Sequence, residues 1–169
     1  DASPDAWGRR VIQAKLQRQE AEIQETLYLL NGPDDGAGNL SFGRSVHPSA
    51  PGRPFNRTHQ LAALIDAAHG LDEDGRLPHE VLESLEPGTS MGGARPKVTV
   101  EDEQKIWIAK LPERGDRHNV QRIEYATLEL ARAAGLRVCQ ARLERVGTSD
   151  VLMLGRFDRE WNPQARTYV

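Results

Sequence analysis

Lys110 ends the apolar run Ile106-Trp107-Ile108-Ala109, and Glu124 follows Ile123 on the next amphipathic stretch. Upstream of both lies Gly88-Thr89-Ser90-Met91-Gly92-Gly93-Ala94-Arg95-Pro96, a run of small residues. Glycines let a backbone approach a ligand closely and take positive φ, and successive exposed N–H groups in such a loop form an anion-binding nest. An amine emerging at the edge of an apolar strand, oriented by a carboxylate, adds a fixed positive charge. Each group has an ordinary alternative: a ligand-free turn, a solvated rim lysine, a solvated helix carboxylate. Their succession along the chain favours a shared role in holding a polyphosphate. The loop is not a Walker A loop, because Ala94-Arg95 stands where Lys-Ser/Thr is required, nor is it G-x-G-x-x-G.

The elements that must position these groups can be read from periodicity. Lys97-Val98-Thr99-Val100 and Lys105 to Lys110 read as strands joined by a turn over Glu101 to Gln104. Ile123, Ala126, Thr127, Leu130, Ala131 and Ala134 then mark the apolar face of a helix that Gly135 terminates. Ala141 to Val146 and Val151 to Arg156 read as a second hairpin. This order of glycine loop, strand lysine, helix glutamate and hairpin is that of a protein-kinase small lobe, where the lysine holds the nucleotide phosphates and the glutamate pairs with it.

The first part of the chain is predicted to be helical and mixed. Ser3 is a plausible N-cap with Pro4 at the first helical position. Trp7, Val11, Ile12 and Leu16 recur at helical spacing, as do Ile23, Leu27 and Leu30, with a break between. Asp34 to Asn39 is turn-rich, Leu40-Ser41-Phe42 suits a short strand, and His47 to Pro54 reads as a linker. Thr58 caps a helix with Leu61, Leu64, Ile65 and Ala68 on one face and Gly70 at its end; Pro78 opens a shorter one with Val81, Leu82 and Leu85 inward. The fold class is α+β, divided into a helical or mixed subdomain over residues 1–87 and a nucleotide-binding unit over residues 88–169.

Composition narrows the function without naming it. The 169 residues carry a net charge of -3, with 38% hydrophobic and 28% charged residues. That balance predicts no general attraction to nucleic acid. Cys139 is the single cysteine and cannot form an internal disulfide. The five histidines are scattered and read as solvated surface groups. No apolar run has membrane-spanning length and no signal peptide opens the chain, so the cytoplasm is the expected location.

Several segments together resemble one family. Pro87 to Lys97, Trp107-Ile108-Ala109-Lys110-Leu111-Pro112, Glu124-Tyr125 and Arg156-Phe157-Asp158-Arg159 look like the HipA family of toxin kinases. Ser3-Pro4-Asp5-Ala6-Trp7-Gly8-Arg9-Arg10 and the stretch from Leu29 to Gly43 are also similar to family segments. The resemblance implies a serine/threonine protein kinase of a type II toxin–antitoxin system, using ATP and Mg2+. Its partners would be a small DNA-binding antitoxin, which alone would connect it to DNA, and a protein substrate such as an aminoacyl-tRNA synthetase.

Carried onto this chain, the resemblance gives Gly92, Gly93 and Ala94 to the ATP loop, Lys110 to the phosphates, and Glu124 to orienting Lys110. Arg156 and Phe157 would form the hinge that meets the adenine through its backbone, with Gly155 where the family often has Glu. Ser90 would be a site of autophosphorylation, where roughly two added negative charges would repel ATP phosphates. Arg95 and Lys97 either add positive charge near the loop or serve as solvated strand-edge groups.

The carboxylates that position an acceptor hydroxyl and Mg2+ have no candidates after Arg159, and Asp158 reads as structural. Both ends read as cut. The chain as given is therefore expected to be catalytically inactive, to lack a large lobe, and to be marginally stable or self-associating through the apolar surface left open. The alternative function is a non-catalytic binding subunit or split module that docks a partner.

Overall fold

The computed structural model describes residues 3–38, 40, 42–45, 55–74, 76–165, 167 and 168. Helix α1 spans Ala6–Leu16. Its N-cap is Asp5, whose carboxylate accepts the Gly8 N–H at 2.8 Å, rather than the predicted Ser3. Asp5 prevails because its side chain reaches an orphan donor of the first turn, whereas the Ser3 hydroxyl donates to Glu25 at 2.7 Å. A short 3-10 turn, Glu20–Glu22, separates α1 from α2, Glu25–Leu30, so the predicted break is present. Leu40 and Phe42 are exposed and lie in no strand, and Ser41 is outside the described residues. The predicted linker, His47 to Pro54, lies wholly outside them as well.

Helix α3 runs Leu61–Asp74, with Leu61, Leu64, Ile65 and Ala68 buried as the spacing requires. It passes through Gly70 instead of stopping there. Burial of Leu71 continues the apolar face, and the missing side chain at Gly70 makes room for Leu77. Helix α4, His79–Leu85, buries Leu82 and Leu85. Of the histidines, His69 departs from the solvated reading: its Nε2 lies 3.1 Å from the Pro112 carbonyl in a part-buried setting.

The sheet is mixed, with strand order β1-β2-β3-β5-β4. Its strands are β1 (Asn56–Arg57), β2 (Lys97–Asp102), β3 (Lys105–Lys110), β4 (Ala141–Val146) and β5 (Ser149–Gly155). Both predicted hairpins form, and the first is tighter than expected, turning at Glu103 and Gln104 with positive φ. β1 pairs parallel with β2 and was not foreseen; two residues carry too little periodicity to be read. In β2, β3 and β5, residues alternate between faces. Val98, Val100, Trp107, Ala109, Val151 and Met153 join Trp7, Val11 and the inward faces of α3 and α4 in one buried cluster.

The opposite sheet face carries Lys110 and packs against α5, Val120–Ala133. Gly135, at φ +84°, ends α5 as predicted: its N–H and that of Leu136 reach the Arg132 and Ala131 carbonyls. The predicted apolar face of α5, however, points outward: Ile123 is 57% and Leu130 71% exposed. Polar bonds fix this rotation. Gln121 donates to the Leu111 carbonyl at 2.8 Å, and Asn119 and Arg122 donate to Asp150, each at 2.6 Å. A final hairpin, β6 (Trp161–Asn162) with β7 (Thr167–Tyr168), docks when the Tyr168 hydroxyl donates to Glu101 at 2.9 Å.

Candidate nucleotide-binding site

Register places Lys110 beside Lys97 on β2 and Leu152 on β5, at the end of β3 where the glycine loop enters the sheet. From there its amine reaches across to α5 and pairs with Glu124 Oε1 at 2.5 Å. Both side chains are about one-third exposed, 31% and 36%. The pair is thus ordered yet open to a solute. The two residues expected to act together are brought together.

The glycine loop is anchored at its start and open at its tip. Gly88 has φ +88°, and a Cβ there would lie 2.7 Å from the Thr99 amide nitrogen, so only glycine fits. Its N–H donates to Asp35 at 3.2 Å. Gly92, Gly93 and Ala94 are exposed, with positive φ at both glycines. Ser90 is only 2% exposed, and its hydroxyl and that of Thr89 make no hydrogen bond among the described residues. Modification of Ser90 therefore requires the loop to move.

Both basic residues beside the loop are engaged. Arg95 pairs with Asp116 and, at 3.4 Å, with Glu113. Burial alone would raise the Asp116 carboxyl, but the Arg95 bond and the Glu113 N–H outweigh it and hold it below the usual range. Lys97 is buried against Asp5 at 3.0 Å. Burial depresses its amine, against the pull of Asp5.

The hinge segment lies farther along the sheet, since Gly155 faces Trp107 while Leu152 faces Lys110. The Gly155 and Arg156 N–H groups donate to the Gln140 and Ile106 carbonyls at 2.8 and 3.0 Å. The Arg156 side chain is buried and bonded to Asp35, Gly36 and Asp158. Phe157 is 95% exposed. Hydrogen bonds from Arg156 hold the Asp158 carboxyl far below the usual range, with Gly38 and Arg159 assisting.

Asp35 is the functional-region residue that sequence reasoning missed. It accepts from Gly88 N–H, from the Thr99 hydroxyl at 2.5 Å and from Arg156 at 3.2 Å, so it ties the loop, β2 and the hinge together. Burial pushes its carboxyl upward while these three donors pull it down. In sequence it is one more polar residue of a turn.

Residues 89–169, the α+β unit with the glycine loop and the strand lysine paired to a helix carboxylate, match the model described as the HipA-like C-terminal domain. No curated protein matches the chain. Among the described residues, no helix is long and apolar enough to cross a membrane.

Proposed function

We propose that residues 88–169 form the ATP-holding small lobe of a HipA-type serine/threonine protein kinase. The observation that carries this reading is the partly exposed Lys110–Glu124 pair, with Lys110 opposite Lys97 in the sheet and the Lys97 amine reaching the Gly93 carbonyl of the glycine loop. Phosphoryl transfer depends mainly on positioning and charge stabilisation, and a strand lysine oriented by a helix glutamate supplies both to nucleotide phosphates. The exposed loop backbone at Gly92, Gly93 and Ala94 adds amide donors. The segment of Arg156 and Phe157 meets the base, the Arg156 side chain serving to brace the backbone rather than to touch ligand. Ser90 is the proposed autophosphorylation site, reached when the loop opens.

Mg2+ would accompany ATP and screen its phosphates. Among the described residues, no group of three His, Cys, Asp or Glu is placed to hold a metal ion, so no step is assigned to the metal here. The toxin–antitoxin role follows from the family alone: a DNA-binding antitoxin as partner, and a translation protein such as an aminoacyl-tRNA synthetase as substrate.

The test is calorimetric titration of this chain with Mg·ATP. The wild-type chain binds, and Lys110→Ala weakens affinity at least tenfold while its denaturation midpoint stays close to wild type. Absence of binding by the wild-type chain, or equal affinity in Lys110→Ala, would overturn the reading.

A further inference from the structure

The carbonyls of the glycine loop are gripped from behind by the first turn of α1. Asp5 N–H donates to Thr89 O at 2.9 Å, and Trp7 N–H points at Gly93 O at 3.5 Å. Arg10 Nη2 donates to Ala94 O at 3.0 Å. The Lys97 amine, only 4% exposed, bridges the Asp5 carboxylate at 3.0 Å and the Gly93 carbonyl at 3.4 Å. The Trp7 indole N–H closes the set by donating to Lys97 O at 2.9 Å. Gly8 permits this approach: a Cβ there would lie 2.2 Å from Thr89 O, inside the loop backbone.

This grip decides which way the loop's donors face. A trans peptide is planar and directs the N–H opposite to the preceding C=O. Carbonyls of Thr89, Gly93 and Ala94 turned toward α1 therefore turn the amides of Ser90, Ala94 and Arg95 away from it.

We infer that Asp5 and Lys97, with Arg10 and Gly8, are positioning residues that dock the glycine loop on α1 and so aim its amides at an anionic ligand. The nucleotide reading above supplies the ligand; the docking itself rests only on the contacts. Lys97 is thus assigned to holding the loop and not to contacting phosphate, despite its place beside Lys110.

The test measures backbone hydrogen–deuterium exchange of the full chain by mass spectrometry, followed by Mg·ATP titration. The double variant Asp5→Asn/Lys97→Met removes both buried charges together, which avoids leaving either unpaired. Arg10→Ala changes a more exposed side chain and guards against loss of folding in the first variant. Exchange over residues 88–96 is expected to rise at least tenfold in both, with the β4–β5 hairpin unchanged. Arg10→Lys, which keeps a cationic donor, retains the wild-type rate, and ATP affinity falls in step with loop exchange. Unchanged loop exchange in both the double variant and Arg10→Ala would sink the inference. Faster loop exchange in a chain whose wild type binds no ATP would uphold the docking and reject the nucleotide reading instead.

Discussion

Arg156 and Asp35 lie 121 positions apart and share two hydrogen bonds, from Nη1 to the Asp35 carbonyl at 2.7 Å and to its carboxylate at 3.2 Å. The guanidinium side chain is 1% exposed and the carboxylate 7%. Removing one member of such a buried pair leaves the other charge uncompensated, at a cost of about 3–5 kcal/mol. Arg156→Met is therefore expected to lower unfolding free energy by roughly that amount, read from urea denaturation with an unchanged slope. Because Asp35 also holds Gly88, the same variant should loosen the start of the glycine loop.

Glu124→Gln is expected to behave differently. Its ion pair with Lys110 is partly solvated, and exposed pairs contribute about 0–1 kcal/mol to stability. The denaturation midpoint should barely move while Mg·ATP affinity falls, by less than in Lys110→Ala, because the amine remains but loses its charged guide. Equal affinity in wild type and Glu124→Gln would show that the pair does not serve the ligand.

Acid should unfold the protein partly through Asp158. Its folded-state pKa lies below its unfolded value, so its stabilisation is full above the unfolded value of about 4 and is lost as pH falls toward the folded one. Asp116, Asp150 and Glu25 are depressed in the same direction. Asp158→Asn should accordingly flatten, without abolishing, the decline in stability below about pH 4. Denaturation curves collected across that range give the slope directly.

Leu130→Glu on the outward face of α5 should change stability by no more than about 0.5 kcal/mol, because the leucine is 71% exposed. Had the apolar stripe been the buried one, the same substitution would be severe. If the open stripe drives self-association, the variant should also sediment as a smaller species at equal concentration.

How much was legible varies with the kind of signal. The two hairpins and α3 were readable because apolar side chains there alternate or recur with the period of the element, and the structure buries them. The helix α5 was readable as a helix, and its Gly135 terminus as well. Its rotation was not, since Gln121, Asn119 and Arg122 set it through partners on other elements. Lys110 and Glu124 could be paired in advance because strand end and next helix are neighbours in sequence. Asp35 could not, since each of its partners lies more than 50 positions away, and nothing in a turn sequence announces distant partners. The capping role of Asp5 was misassigned to Ser3 because both residue types are good caps, and the engagement of the Ser3 hydroxyl by Glu25 on another helix cannot be read locally.

Trp7 gives the loop an optical reporter. Its indole is fully buried and hydrogen-bonded through Nε1 to Lys97 O, while its backbone N–H points at the Gly93 carbonyl. A dry indole emits toward the blue, and one reached by water emits toward the red. Trp107 and Trp161 sit elsewhere, on β3 and in the last hairpin. With both replaced by Phe, the remaining fluorescence comes from a single chromophore beneath the loop, so lifting of the loop can be followed in real time as a change of colour.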